Sequence, residues 1–127
     1  MTRLGVIDLG SNSIRLVIYE VKRDAQAPKP FRILADEKKM AGLAAYVVDG
    51  LFTAAGIARA ADILGDHVHI ARNLGCDRID IFATAVLRNC ANSAVAVAAI
   101  EEAVEHPICV LSAAEEAALG LAGASIG

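Results

Sequence analysis

Asp8 and the four residues Gly10-Ser11-Asn12-Ser13 combine chemical groups that can hold a phosphate. Asp8 lies near the end of one apolar run, and the turn leads into a second apolar run that reaches Tyr19. Consecutive backbone N–H groups, with hydroxyl and amide donors beside them, form a concavity suited to an anion, and glycine permits backbone angles closed to other residues. Asp8 would face the same hollow as a magnesium ligand, directly or through water.

The same residues also allow a simpler interpretation. Asp, Gly, Asn and Ser are the ordinary residues of turns, so the stretch can be a plain hairpin in which Asp8 caps the turn. The local sequence leaves both interpretations open.

Length, charge and hydropathy limit the class of protein. At 127 residues the chain is one domain that can bury a core, and its net charge of −3 lacks the positive field expected of a nucleic-acid-binding protein. Hydrophobic residues make up 56% of the chain and the mean hydropathy is +0.50, but no apolar run reaches the roughly 18 residues of a membrane span. We therefore expect neither nucleic acid nor a membrane as a partner.

The N-terminus and the cysteines predict a cytoplasmic protein. Met1-Thr2-Arg3 runs directly into the first strand and leaves no room for a signal peptide. Cys76, Cys90 and Cys109 are odd in number and scattered, which favours reduced thiols in or near the core over a disulfide framework or a zinc site.

The first part of the chain is predicted to form three consecutive strands. A polar loop from Val21 to Pro30 separates the hairpin from a third strand, Phe31 to Ala35, which completes an antiparallel meander. Residues 36–43 are interpreted as a charged strand end that leads into a loop. Lys38 and Lys39 can be a solvated edge only, since edge strands commonly carry lysine.

Helix signals delimit a long first helix. Thr53 is the predicted N-cap, apolar residues recur at three- and four-residue intervals as far as Ala71, and Gly75 is the predicted terminator. His67 and His69 are two residues apart and cannot share a helix face as a zinc-binding pair does. We interpret them as surface or partly buried structural residues.

A unit with the rhythm of a parallel sheet follows this helix. Residues 78–83 are predicted as a strand, Asn92 or Ser93 as the cap of the next helix, whose glutamates face water, and residues 108–111 as the fifth strand.

The last segment, residues 112–127, is predicted as a helix that another element must cover. Ser112 can cap it, and Glu115 and Glu116 suit the positive end of the helix dipole. Beyond Glu116 the segment has no charged residue and almost no polar face, unlike a surface helix.

The predicted order, βββαβαβα, is that of an α/β domain of the ribonuclease H-like or actin-like ATPase class, a three-strand antiparallel meander extended by parallel strands with helices. Within it, Asp8 to Leu16 resembles the first phosphate-binding motif of the exopolyphosphatase and guanosine pentaphosphate phosphohydrolase (Ppx/GppA) family. Ala83 to Asn92 resembles the family's second recurring segment, a threonine-containing strand end followed by arginine and asparagine. Leu111 to Ala117 resembles its serine-glycine-x-glutamate-glutamate-alanine stretch.

The resemblance implies a role for each matched residue. Glu116 would be the catalytic base that takes a proton from the attacking water, and Glu115 would be a bystander. Arg88 would neutralise phosphate charge with its paired guanidinium donors. Lys39 falls near the place where family members often carry an arginine, and the turn Gly10 to Ser13 would bind phosphate through amides and hydroxyls.

The activity implied is magnesium-dependent hydrolysis of terminal phosphoanhydride bonds in inorganic polyphosphate or in guanosine pentaphosphate, a nucleotide of the stringent response. The sequence does not choose between the two substrates. One alternative is a non-catalytic phosphate- or nucleotide-binding module that regulates a partner through its last helix. Another is a fragment of an actin-like sugar or acetate kinase, which the turn and the Glu116 segment match less well.

The chain also departs from the family pattern. Ala113 stands where the family usually has glycine, and residues 40–48 match its arginine-leucine-glycine-rich stretch poorly. The second phosphate-binding loop and the second lobe of the family would follow residue 127. We therefore expect residues 1–127 to be an N-terminal actin-like lobe, completed by a missing C-terminal lobe or by a second copy that pairs through the helix of residues 114–127.

Overall fold

One mixed β-sheet with helices packed against it organises the protein. The computed structural model describes residues 1–22 and 31–118. The strands are β1 (Thr2–Leu9), β2 (Ser13–Val21), β3 (Phe31–Met40), β4 (Val47–Val48), β5 (Leu51–Phe52), β6 (Arg78–Ala83) and β7 (Cys109–Val110). The α-helices are α1 (Ala54–Asn73), α2 (Ala85–Arg88) and α3 (Ser93–Val104), a 3₁₀ helix spans Leu43–Tyr46, and residues 113–118 are helical. Most of the predicted polar loop, and the predicted last helix beyond residue 118, lie outside the described residues.

Five of the strands form the main sheet, in the order β3-β2-β1-β6-β7. The first three pair in antiparallel fashion, whereas β6 pairs parallel to β1 and β7 pairs parallel to β6. The predicted antiparallel meander extended by parallel strands is therefore confirmed. A separate two-stranded hairpin, β4–β5, lies between β3 and α1 in the chain.

Strand periodicity separates the core from the outer face of the sheet. Along β1, Ile7 and Leu9 are fully buried while Asp8 between them is exposed. Because alternate side chains point to opposite faces, the aliphatic side chains of β1, β2 and β6 form one surface that joins α1 and α3 in a single cluster. Full burial of each such side chain contributes about 1.5–3 kcal/mol.

Helix α1 begins and ends where its local sequence indicates. The Thr53 hydroxyl accepts a hydrogen bond from the Gly56 N–H at 3.2 Å, and Gly75 has a φ of 70°, the left-handed geometry that ends a helix. His69 is exposed, but His67 is buried at 4% exposure and lies 3.0 Å from the Ile14 carbonyl oxygen through its Nε2. His67 is thus a core residue, more buried than predicted.

Several elements differ from the prediction because tertiary pairing decided them. Strand β3 extends beyond Phe31–Ala35 through the predicted charged strand end as far as Met40, because residues 36–40 pair with β2. The 3₁₀ helix, the β4–β5 hairpin and the single turn α2 were not predicted, and β7 has only two residues. Glu101 does not simply face water, because its carboxylate accepts a 2.8 Å hydrogen bond from the Ile108 N–H.

A buried carboxylate ties the first three strands together. Glu20, only 4% exposed, accepts hydrogen bonds from Arg3 Nε at 3.2 Å and from Arg32 Nε at 3.0 Å. Burial by itself would raise the pKa of Glu20, but the hydrogen bonds and charges of the two arginines outweigh it and lower that pKa.

All three cysteines are unpaired thiols, as predicted, although Cys109 is exposed and does not lie in the core. Within the described ranges, no helix is both long enough and apolar enough to pass through a bilayer.

Candidate active site

The carboxyl ends of the parallel strands bring the predicted site residues to one edge of the sheet. Asp8 is the penultimate residue of β1, Thr84 follows β6, and Ser112 lies two residues after β7. In open α/β sheets, ligands bind at this edge because loops and helix N-termini converge there.

The turn between β1 and β2 is braced from behind. Its carbonyl oxygens accept hydrogen bonds from the chain after β3, the Ser11 oxygen from Ala44 N–H at 3.0 Å and the Asn12 oxygen from the N–H groups of Ala41 and Gly42 at 2.8 and 2.9 Å. In residues 1–22 and 31–118, no acceptor takes the N–H of Ser11 or Asn12. These two amides are therefore available to an anion.

Gly10 serves this turn through its small size. Its φ lies outside the left-handed range, so the turn does not use the left-handed angles that glycine permits. Its N–H donates to the Ser13 carbonyl oxygen at 3.0 Å, and an added Cβ would lie 3.2 Å from that same oxygen. The absence of a side chain lets the turn close tightly.

Thr84 joins the second strand end to the first. Its N–H and its hydroxyl both donate to the Leu9 carbonyl oxygen, at 3.3 and 3.4 Å. The Thr84 carbonyl oxygen then accepts from the Arg88 N–H at 3.1 Å, which starts the short helix α2. Arg88 is thereby held one helical turn above the edge.

Arg88 and Glu116 form an ion pair in the structure. Arg88 Nη1 donates to Glu116 Oε2 at 2.6 Å and to the Leu111 carbonyl oxygen at 3.0 Å. The side chains are 23% and 39% exposed, so the pair lies at the surface but is partly shielded from water. The two residues that the family resemblance assigned to phosphate binding and to proton transfer are thus in direct contact.

Glu115 has a different environment from its neighbour. Its carboxylate accepts a hydrogen bond from the Ser112 N–H at 3.0 Å, and the Ser112 hydroxyl accepts one from the Glu115 N–H at 3.0 Å. This reciprocal pair is a capping box at the start of the last helical segment. The hydrogen bonds from Ser112 lower the pKa of Glu115, so this carboxylate stabilises the helix start.

Asp8 lies in a negative field that suits a cation. Partial burial of its carboxyl group raises the pKa of Asp8, the nearby charge of Glu116 raises it further, and Arg15 opposes the rise. The side chain still reaches solvent. Mg²⁺ is often held by one or two carboxylates together with water and phosphate oxygens, and Asp8 fits that role. The described residues contain no group of three or more His, Cys, Asp or Glu side chains that could hold a metal without such help.

Lys39 does not join this cluster. Cross-strand register places Asp8, Arg15 and Lys38 in one row, and Ile14 and Lys39 in the next. Since neighbouring residues of a strand face opposite sides, the register places Lys39 on the same face as the buried Ile14, which belongs to the core cluster with α1. Lys38, not Lys39, shares the face of Asp8.

Two contacts, one of them at the site, were not found by sequence reasoning. The Leu111 carbonyl oxygen, which anchors Arg88, is a backbone group with no sequence signal. Asn92 occupies the N-cap position of α3 but makes no capping bond, because its side-chain amide instead bonds both the N–H and the carbonyl oxygen of Phe52, at 2.8 and 2.9 Å.

Comparison with known proteins agrees with this geometry. The model of the Ppx/GppA phosphatase family matches residues 6–126. An exopolyphosphatase from Cytophaga hutchinsonii is 27% identical in sequence, with a TM-score of 0.82 over 93% of this chain and 36% of that one. The Aquifex aeolicus Ppx/GppA phosphatase is 20% identical, with a TM-score of 0.78 over 89% of this chain and 36% of that one.

The matched solved structures are longer than this chain, which spans about a third of their length. They share its α/β fold, which is of the ribonuclease H-like or actin-like class. No curated protein sequence matches the chain.

Proposed function

The chain belongs to the Ppx/GppA phosphatase family, and from this we propose that the protein hydrolyses the terminal phosphoanhydride bond of inorganic polyphosphate or of guanosine pentaphosphate. The contact between Arg88 and Glu116, at the same sheet edge as Asp8 and the turn amides, carries the proposal. Phosphoryl transfer to water is catalysed by groups that position the phosphate and the attacking water and stabilise charge, and a cation beside a carboxylate can supply both.

The turn and Arg88 are proposed to hold the terminal phosphoryl group. The N–H groups of Ser11 and Asn12 would donate to its oxygens, and Arg88 would neutralise part of its charge. Catalysis of phosphoryl transfer rests mostly on such positioning and electrostatic stabilisation.

Glu116 is proposed as the general base. Its carboxylate would take one proton from a water molecule while the water oxygen forms a bond to the terminal phosphorus. The bond from that phosphorus to the bridging oxygen breaks, and the bridging oxygen leaves on the shortened chain or nucleotide. The products are inorganic phosphate and a substrate one phosphate shorter.

Asp8 is proposed to hold Mg²⁺ together with water and phosphate oxygens. The ion, when bound, would neutralise charge on the transferred group. Burial, first, and the nearby charge of Glu116, second, raise the pKa of Asp8, and a divalent cation at the carboxylate would compensate its charge.

We also propose that a second lobe, or a second copy of the chain, completes the site, and that the protein works in the cytoplasm. Stabilisation from several sides is the rule for this chemistry, and Asp8 and Ser112 are exposed on the open side of the edge. The three unpaired cysteines are compatible with a reducing compartment.

The test measures Mg²⁺-dependent phosphate release from polyphosphate and from guanosine pentaphosphate, using the protein expressed from its complete reading frame. Glu116→Gln should lower turnover about a hundredfold or more. Glu115→Gln is the matched control, since glutamine also completes a capping box; it should keep turnover and lower the melting temperature only slightly, because the charged form of Glu115 stabilises the helix start.

Substrate preference follows from the same assay, because the two substrates differ only in what is attached to the terminal phosphates. Equal turnover by the wild-type protein and Glu116→Gln would contradict the assigned base. Phosphate binding without release from either substrate would favour the non-catalytic module.

A further inference from the structure

We propose that Arg88 is a positioning residue that bridges the base and the substrate, holding Glu116 with one nitrogen while its opposite edge binds the terminal phosphoryl group. The proposal rests on the proposed function and adds to it a fixed relation between the two reacting partners. It explains why the phosphate-binding cation and the base are found in contact.

The hydrogen bonds of Arg88 divide its guanidinium into two parts. Both N–H groups of Nη1 are used, one by Glu116 Oε2 at 2.6 Å and one by the Leu111 carbonyl oxygen at 3.0 Å. The remaining donors, on Nε and Nη2, meet no acceptor in the described portion of the chain. These donors form the paired edge that matches two oxygens of a phosphoryl group.

The bridge is anchored to the sheet at both ends. Arg88 starts from α2, whose first turn is bonded to Thr84 beside the end of β1. Its tip is fixed to the carbonyl oxygen of Leu111, and the Leu111 N–H donates to Ala83 at the end of β6 at 2.9 Å. The guanidinium therefore spans two strand ends, and its orientation is set by backbone groups.

In this arrangement the rigid, planar guanidinium of Arg88 binds the Glu116 carboxylate and the phosphoryl group at the same time. A carboxylate bonded to Nη1 and a phosphoryl group bonded to Nε and Nη2 lie around the same plane, so the guanidinium fixes the position of each group relative to the other. Because like-charged groups are brought close, the positive charge between them also offsets their repulsion.

Lysine cannot reproduce the bridge. Its ammonium is a single compact centre, whereas the guanidinium has separated nitrogens in a fixed plane. Arg88→Lys keeps the charge and removes the geometry. It therefore separates a bridging role from a general need for a cation.

The first test is a double-mutant cycle in turnover with Arg88→Lys and Glu116→Gln. Arg88→Lys should lower kcat about a hundredfold or more in the wild-type background, but only about tenfold or less when Glu116 is already glutamine, because only the phosphoryl contact of Arg88 then remains to be lost. The same kcat loss in both backgrounds would overturn the proposal. Arg78→Lys, on an exposed side chain paired with Asp80, is the matched control.

The second test does not depend on turnover. Inorganic tripolyphosphate is titrated calorimetrically into the wild-type protein, Arg88→Lys and Arg78→Lys, each with its melting temperature measured. Arg88→Lys should weaken binding about tenfold, one good charge-assisted pair, and unchanged binding would overturn the bridge. Arg88→Gln replaces Arg88→Lys if the lysine variant does not fold.

A crystal structure of the wild-type protein with tripolyphosphate decides the geometry without any variant. The bridge requires Glu116 Oε2 to stay within hydrogen-bond distance of Nη1 while phosphate oxygens contact Nε and Nη2. A Glu116 carboxylate released from Arg88 by the phosphate would overturn the proposal. If the wild-type protein releases no phosphate, the proposed function fails, and this structure and the titration still decide the bridge.

Discussion

Arg88 Nη1 lies 2.6 Å from Glu116 Oε2, although the two residues are 28 positions apart in the chain. The contact forms because α2 starts at the end of β6 and the last helical segment starts after β7, its parallel neighbour. Two strand ends that are adjacent in the sheet thus deliver a cation and a carboxylate to one point. Several properties of the surrounding residues can be tested.

The charged carboxylate of Asp8 is expected to lower the stability of the folded protein at neutral pH. Its folded pKa is raised, so the folded state binds the proton more tightly than the unfolded state, and stability falls as pH rises from the unfolded through the folded pKa. Asp8→Asn should therefore melt at a higher temperature than wild type at pH 7. The difference should disappear towards pH 3, where both proteins carry a neutral side chain.

The measurement for Asp8 is a series of melting temperatures between pH 3 and pH 7. Asp62→Asn, on an exposed position of α1, is the control for the loss of a surface carboxylate and should change the melting temperature at pH 7 only slightly. A lower melting temperature of Asp8→Asn at pH 7 would contradict the expectation. Activity should fall in this variant, since it loses the proposed cation ligand.

Gly56 is expected to tolerate no side chain. An added Cβ would lie 2.7 Å from the Cβ of Tyr46 and 2.8 Å from Cζ of Phe52. Gly56→Ala should lower the free energy of unfolding by about 1–3 kcal/mol through overpacking. Chemical denaturation measures this change.

Gly65 offers a matched control in the same helix, because an added Cβ there would meet nothing within 4 Å. Gly65→Ala should raise the free energy of unfolding by roughly 0.5–1 kcal/mol, the usual gain from replacing glycine in a helix interior. A destabilising Gly65→Ala would show that factors other than space decide both positions.

Asn92 is expected to stabilise the β4–β5 hairpin. Asn92→Ala removes both hydrogen bonds to Phe52 and leaves two part-buried backbone groups without partners, so the free energy of unfolding should fall by about 1–3 kcal/mol. Asn73→Ala, at an exposed position, should change it by less than about 0.5 kcal/mol. Hydrogen exchange should show the loss at residues 47–52 first, and equal losses in the two variants would contradict this assignment.

Gly10 is expected to matter more for anion binding than for stability. Gly10→Ala places a methyl group 3.2 Å from the Ser13 carbonyl oxygen, so the turn must open slightly, at a cost of about 1 kcal/mol. Titration with tripolyphosphate should show weaker binding. Gly5→Ala, in strand β1 that precedes the turn, meets only ordinary contacts at 3.4 Å or more and should keep wild-type affinity.

Local chemistry explains which parts of the fold were predictable. The Thr53 cap and the Gly75 terminator act within a few residues of sequence, and both were predicted and are confirmed. Asn92 has the same type of side chain as a cap, but it bonds Phe52, forty residues away. A choice between a local and a distant partner depends on tertiary packing.

The site residues also divide into those whose position depends on local sequence and those whose position depends on tertiary contacts. The turn and the pair Glu115-Glu116 could be located from sequence because their spacing is local. Which face Lys39 occupies depends on how far β3 pairs with β2, since one residue of register exchanges the two faces. The contact of Arg88 with Glu116 depends in turn on the neighbouring positions of β6 and β7.

The brace behind the turn has a consequence for peptides and for motif searches. The carbonyl oxygens of Ser11 and Asn12 are held by Ala41, Gly42 and Ala44, so the shape of the turn is set by residues some thirty positions later. A synthetic hairpin of residues 1–22 would contain every residue of the motif, but it would lack the later N–H groups that fix the orientation of the turn and its amides. The proposed anion affinity is therefore expected of the folded domain, and not of the same motif placed in an unrelated chain.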